Sequence, residues 1–230
     1  MEKQKVVILV ADIDEYVNFQ KRFLELGAKE IESAFKRSHM LETEDKIITS
    51  VCFGIGKVNA ATAATYYAAN GYNFFLNYGY SGGVSGVKKG DIVIADSFLE
   101  HDFDLTVLGY APCEKPGEQY IYSANQKIIK FCKNKFPFAV FGRAVCGDSF
   151  ICDNEKRNFL SKEFSAISCD METAAIASVA NRFSIPFLAV REISDDAGDN
   201  AGDLYLNTLK NQKESMLDVV FEYINEKEIL

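Results

Sequence analysis

The chain has 230 residues, 48% of them hydrophobic, enough to bury one sizeable core, so a single domain over residues 1–230 is the expectation. A formal net charge of −8 and a pI near 4.9 leave no electrostatic attraction for phosphate backbones or anionic lipid, so neither nucleic acid nor membrane is expected as a partner. The charged opening leads into an apolar run of only six residues, Val6 to Ala11, too short for a signal h-region or a span, and a cytoplasmic location follows as an expectation.

In chain order, residues 5–11 read as a buried strand, and residues 15–26 as a helix with Tyr16, Phe19 and Phe23 on one face before Gly27. Residues 46–53 form another strand, residues 58–69 an alanine-rich helix, and residues 73–78 an aromatic strand ending in the loop Gly79-Tyr80-Ser81-Gly82-Gly83. Strands are expected at 91–96 and 139–146, with a helix at 124–135 between them. A helix over 171–183 carries Ile176, Val179, Ala180 and Phe183 on one stripe, and an apolar strand resumes at 186–192. The last helix is expected over 203–226, facing the core with Leu209, Met216, Leu217, Val220, Phe221 and Ile224. Such alternation predicts an α/β protein with a largely parallel or mixed sheet covered by helices on both faces. The longest stretch without a clear pattern, residues 102–119, holds Pro112, Pro116 and Gly117 and is a candidate functional loop.

Six cysteines are widely spread without a C-x-x-C pair, which reads as reduced, mostly buried thiols. Only His39 and His101 are present, so a His-rich metal site cannot be assembled, and a Ser-His or Cys-His pair would have to rest on His101. Acid–base chemistry then falls to carboxylates. Glu15, Asp170, Glu172 and Asp195 all stand at strand ends or helix starts, where each alone reads equally as a helix cap and only their convergence at one sheet edge suggests a site. Gly54-Ile55-Gly56-Lys57 opens a helix but lacks the third glycine of a dinucleotide fingerprint and does not fit a P-loop.

Several segments together resemble one family. Gly54-Ile55-Gly56-Lys57-Val58-Asn59-Ala60-Ala61, Asn77-Tyr78-Gly79-Tyr80-Ser81-Gly82-Gly83, Lys89-Gly90-Asp91-Ile92-Val93, His101-Asp102-Phe103-Asp104, Gly147-Asp148-Ser149-Phe150-Ile151, Asp170-Met171-Glu172 and Val190-Arg191-Glu192-Ile193-Ser194-Asp195 follow in the order of the methylthioadenosine/adenosylhomocysteine nucleosidases of the nucleoside phosphorylase superfamily. The resemblance implies a three-layer α/β/α sandwich around a mixed, largely parallel sheet, a homodimer, and no cofactor or metal. It implies a purine nucleoside as substrate. By resemblance Asp195 protonates the purine N7 with Ser194 holding its carboxyl group, Phe150 stacks on the base, and Ile151 offers it backbone hydrogen bonds. Glu172 takes the ribose hydroxyls, Met171 packs on the sugar, and Gly82 and Tyr80 complete the substrate wall. Glu15 positions or deprotonates the attacking water with Arg191 nearby, and Leu108 reaches across a two-fold axis to the partner's 5′ substituent.

Departures from that pattern leave alternatives open. The opening loop Val10-Ala11-Asp12-Ile13-Asp14-Glu15 is atypical, so the water-activating position falls on Glu15 or on Tyr16, and Glu15 is preferred because Tyr16 completes the buried helical stripe. Tyr80 stands where the family carries serine, and its phenol either narrows the pocket or replaces the hydroxyl. Phosphate as the nucleophile, another nucleoside such as adenosine, inosine or futalosine, and a nucleoside-binding protein without turnover are the rival functions. Against phosphate stands the acidic first loop. Asp195 is expected to have a raised pKa, and the sugar-facing carboxylates are expected to stay ionised.

Overall fold

The computed structural model describes residues 3–35, 37–211 and 215–226. The strands are β1 (Gln4–Val10), β2 (Lys29–Glu30), β3 (Arg37–Glu42), β4 (Lys46–Cys52), β5 (Phe74–Gly83), β6 (Ile92–Glu100), β7 (Ile121–Ser123), β8 (Val140–Cys146), β9 (Ala166–Asp170) and β10 (Phe187–Asp195). The helices are α1 (Ile13–Glu25), α2 (Lys57–Ala69), α3 (Gln126–Lys135), α4 (Asn154–Phe164), α5 (Thr173–Arg182), α6 (Ala201–Lys210) and α7 (Ser215–Ile224). The expected α/β class with a mixed central sheet is what the chain adopts.

β5 organises the sheet. Its first half pairs parallel with β1, which is itself parallel to β4, while its other edge runs parallel with β10 from Phe75 to Gly82. Only the last two residues of β5 meet β9, antiparallel, with Gly82 opposite Cys169 and Gly83 opposite Ser168. β10 continues antiparallel to β6, β6 parallel to β8, and β8 parallel to β9, so β5, β10, β6, β8 and β9 close on themselves. The open side runs from β1 through β4 and β3 to the short edge strand β2. The segment 79–83, expected to be a loop, therefore continues the strand. Its glycines permit two neighbours to approach where a side chain would block them: a Cβ at Gly82 would lie 3.0 Å from Cys169 Sγ and 3.1 Å from Asp195 Oδ1.

β1 from Val6 to Val10 is an unbroken apolar run and β5 is buried almost throughout, polar Asn77 and Ser81 included, because both faces of these strands are covered. Tyr16, Phe19 and Phe23 of α1 are fully buried, with Phe19 stacked on Phe221 of α7 at 4.9 Å and packed against Tyr78 of β5 at 5.3 Å. α2 and α5 pack on each other. Five of the six cysteines are buried or partly buried and all are free, Cys152 alone being exposed.

Three expectations change. The single helix over 203–226 is two, α6 and α7, with residues 212–214 outside the described part. Phe183 caps α5 and is exposed rather than facing the core, because the chain leaves the helix there for the left-handed Ser184. Sequence periodicity did not reveal β2, β3, β7, α4 or β9: α4 buries only Leu160 and Phe164, β7 is three residues long and β9 five.

Candidate active site

A cavity of about 370 Å³ opens where β1, β5 and β10 end and where β9 pairs antiparallel with Gly82 and Gly83. Open α/β sheets form ligand sites at such strand ends. Five carboxylates line it, Asp12, Glu15, Asp170, Glu172 and Asp195, and no lysine, arginine or histidine is among its described lining residues.

Asp195 ends β10. The Ser194 hydroxyl donates to its Oδ2 at 2.6 Å and the Ala197 amide to Oδ1 at 2.8 Å, the latter made possible by the left-handed backbone of Ala197 (φ 51°). Burial raises the pKa of Asp195 above the usual carboxylate range, against the lowering pull of those two hydrogen bonds. The carboxyl group is thus fixed in orientation and biased toward holding a proton.

Glu15 lies in the first turn of α1, whose N-cap is Asp12, the Asp12 side chain accepting from the Asp14 amide at 2.8 Å. Glu15 Oε1 accepts from the Tyr80 amide at 2.7 Å, while Oε2 is buried without a protein partner. A Cβ at Gly79 would stand 2.8 Å and 2.9 Å from the two Glu15 oxygens and would collide with Arg191 Nη1, so this glycine makes room for the pair. Burial pushes the Glu15 pKa up to about 8, with Arg191 the main counterweight. Tyr16 points away from the cavity, its hydroxyl bonded to His39 Nδ1 at 2.8 Å and Ser50 Oγ at 2.9 Å.

Glu172 and Asp170 divide two roles that sequence alone left merged. Asp170 Oδ1 accepts from the Glu172 and Thr173 amides at 2.9 Å and 2.8 Å and from Thr173 Oγ1, so it is the residue that caps α5. Glu172 makes no capping bond; its Oε1 accepts from the Gly56 amide at 3.0 Å and the carboxylate faces the cavity. Arg191, 1% exposed, stands behind this cluster rather than in the cavity wall: Nη2 donates to Asn77 Oδ1 at 2.6 Å, Nε lies 3.5 Å from Asp170 Oδ2, and Nη2 lies 3.8 Å from Glu172 Oε2. It is a positioning residue. One guanidinium among Glu15, Asp170 and Glu172 does not offset burial, so the Glu172 pKa is also raised, by desolvation first. The expectation that the sugar-facing carboxylates keep ordinary ionisation is therefore corrected: burial acts on them as it does on Asp195.

Phe150, Ile151 and Met171 line the cavity as expected, as do Ser194, Gly82 and Tyr80. Tyr205 of α6 was missed. It meets Phe150 edge-on at 5.6 Å and Tyr80 edge-on at 6.4 Å, and the three rings make one aromatic wall. Tyr205 fell inside the helix expected over 203–226 but was not counted among that helix's core-facing residues, and nothing local sets it apart from its neighbours Leu204 and Leu206. The Tyr80 phenol is held protonated by burial, its pKa raised well beyond its ordinary value. Cys169 lines the cavity as a thiol whose pKa burial also raises, which disfavours its reactive thiolate form. His101, the anticipated partner of any Ser or Cys nucleophile, is buried outside the cavity. Leu108 is not brought to the cavity; it sits on the 3₁₀ turn Thr106–Leu108, 68% exposed, beside Val107 at 91%.

The model of the phosphorylase superfamily matches residues 5–225. The 5′-methylthioadenosine/S-adenosylhomocysteine nucleosidase of Geobacillus kaustophilus is 31% identical over 223 residues, covering 87% of this chain and 95% of that protein. Among solved structures, S-adenosylhomocysteine nucleosidase from Streptococcus pyogenes in complex with 5-methylthiotubericidin superposes with a TM-score of 0.87 at 25% identity, covering 99% of both chains. The Helicobacter pylori 5′-methylthioadenosine/S-adenosylhomocysteine nucleosidase with butyl-thio-DADMe-Immucillin-A gives a TM-score of 0.86 at 25% identity, covering 96% of this chain and 99% of that one. With matches of that extent, the chain belongs to the phosphorylase superfamily and, within it, to the 5′-methylthioadenosine/S-adenosylhomocysteine nucleosidase family.

Proposed function

We propose that this protein hydrolyses the N-glycosidic bond of 5′-methylthioadenosine and S-adenosylhomocysteine, releasing adenine. The observation that carries the reading is the placement of a buried, oriented Asp195 and of Glu172 and Glu15 in one cavity. Cleavage builds positive charge on the sugar and negative charge on the base, so a proton donor at N7 and a carboxylate beside the ribose both gain strength toward the transition state. Asp195 supplies the proton, Phe150 stacks on the base, and Ile151 binds its edge through the backbone. Glu172 takes the ribose hydroxyls with Met171 against the sugar. The free Oε2 of Glu15 accepts a proton from water, and its raised affinity for that proton makes it a competent base.

Water is favoured over phosphate as the nucleophile because the cavity lining carries five carboxylates and no described cation, and Arg191 is already engaged behind it. The described lining offers a dianion acceptor oxygens and no cationic side chain to pair with. The working unit in this reading is a single-domain, cytoplasmic homodimer in which the exposed Val107 and Leu108 cross to the partner and Leu108 covers its 5′ substituent. Adenine release from methylthioadenosine in phosphate-free buffer, followed chromatographically, is the test. Turnover that begins only when phosphate is added would replace hydrolysis by phosphorolysis, and tight adenine binding without turnover would leave a binding protein.

A further inference from the structure

Outside the cavity, three polar residues from three separate segments close into a ring. The Lys57 amide, at the start of α2, donates to Asp148 Oδ1 at 2.8 Å. The Asp148 amide donates to Asp102 Oδ2 at 2.9 Å. Asp102 Oδ1 in turn accepts from Lys57 Nζ at 2.6 Å, which also reaches Glu100 Oε2 at 3.2 Å. Lys57 and its hydrogen bonds hold the Asp102 carboxyl below its usual pKa even though burial works the other way. Every donor and acceptor in the ring is a different atom, so none competes with another.

The ring sits at the root of the segment that carries Ser149, Phe150 and Ile151 into the cavity. The preceding residue, Gly147, is fixed by its amide to the Asp170 carbonyl at 3.1 Å and lies against the His101 ring, which a Cβ there would meet at 2.6 Å. The neighbouring amide on α2, that of Gly56, is the one that holds Glu172. Two consecutive amides at the start of one helix thus grip the ribose-facing carboxylate and the base-facing loop. We infer that Lys57, Asp102 and Asp148 form a clasp that positions the Phe150–Ile151 loop at a set distance from Glu172, and so determines how tightly the purine base is held. The inference rests on the proposed nucleosidase reading for what the loop binds, though not for the clasp itself. Lys57, Asp102 and Asp148 are positioning residues; none of the three lines the cavity.

The decisive variant is Asp148→Ala, which removes the acceptor for the Lys57 amide. Asp148→Asn is its conservative control, since the amide oxygen still accepts there. A hydrogen bond to a charged acceptor is worth roughly tenfold or more in an equilibrium. Asp148→Ala should therefore raise KM for methylthioadenosine roughly tenfold with kcat falling less, and Asp148→Asn should restore KM to within about threefold of wild type. Amide hydrogen exchange on the unliganded proteins provides a readout independent of turnover: protection across residues 147–151 should fall in Asp148→Ala and recover in Asp148→Asn. Lys57→Met, which keeps the backbone amide but releases Asp102, should give an intermediate loss and serves where Asp148→Ala does not fold. Wild-type exchange at 147–151 in Asp148→Ala, or in Lys57→Met in its place, overturns the clasp. Equal losses in Asp148→Ala and Asp148→Asn overturn it as well. A wild-type protein that cleaves no purine nucleoside removes the functional reading, while the exchange result still decides the clasp.

Discussion

Asp195 and Glu15 carry opposite demands in one small volume, and their substitutions separate the two. Asp195→Asn keeps nearly the same shape and the contact with Ser194 but cannot deliver a proton, so kcat for methylthioadenosine should fall roughly 10²- to 10⁴-fold while adenine still binds; single-turnover kinetics with calorimetric adenine binding check it, and wild-type turnover would remove Asp195 from the chemistry. Glu15→Gln should abolish hydrolysis, whereas Tyr16→Phe should leave activity near wild type and cost about 1 to 3 kcal/mol of stability, because His39 and Ser50 lose a buried partner. Glu15 also sets a pH dependence. Its folded pKa of about 8 lies above the ordinary glutamate value, so the folded protein retains a proton that the unfolded chain releases, and this group's contribution to stability falls as pH rises from about 4.5 to about 8. Replacing it by glutamine should flatten that decline in thermal melts. In the wild type, kcat/KM should climb over the same range as Glu15 ionises, and a profile already level at pH 6 would argue against Glu15 as the base.

At the scale of elements, the site depends on backbones that approach more closely than side chains would allow. Gly79→Ala would drive a methyl group into Glu15 and Arg191, and activity should fall by at least the roughly 10²-fold typical of a displaced catalytic group. Another element is held by an unusual partner: Lys46 of β4 is buried and its Nζ donates to the Ile224 carbonyl at 2.7 Å and to that of Glu226, satisfying the carboxyl end of α7. Lys46→Met should cost about 1 to 3 kcal/mol in denaturant unfolding, through the unpaired carbonyls. Nothing in the sequence marked Lys46 as other than a solvated strand residue, since its partner lies 178 residues away. The strands and helices with strong apolar periodicity, such as β1, α1 and β10, were legible because burial fixes their residue types. The edge strand β2, its neighbour β3 and the polar helix α4 were not, because few of their positions are buried. The site was legible in its carboxylates and in its glycines. Asp170 was legible as a helix cap from its place just before α5, whereas the retreat of Arg191 from the cavity and the part played by Tyr205 were not, because both are set by tertiary packing rather than by local pattern.

For the whole molecule the open question is what covers the segment between β6 and β7. Val107 and Leu108 are exposed on their 3₁₀ turn, and Tyr110 follows them at the surface, while Leu105 is only partly covered. Their own subunit therefore does not bury them, although loop residues often pack on their own core. Three neighbouring large side chains left in water favour a contact with another chain. A second copy satisfies that need, and an apolar side chain delivered to the partner's cavity mouth would favour an alkylthio group over a 5′ hydroxyl by roughly 1 to 3 kcal/mol, the scale for burying such a group. A charge at Leu108 should undo both effects at once, since the carboxylate would be buried in the interface and would face the thioether. Leu108→Asp is accordingly expected to weaken dimerisation in sedimentation equilibrium and to lower the preference for methylthioadenosine over adenosine by roughly 10-fold or more in kcat/KM. A wild type that sediments as a monomer at micromolar concentration would defeat the crossing of the loop. A dimeric variant with an unchanged substrate ratio would leave Leu108 in neither the interface nor the 5′ pocket, and the thioether preference would then fall to the aromatic wall of Tyr80, Phe150 and Tyr205 within one subunit.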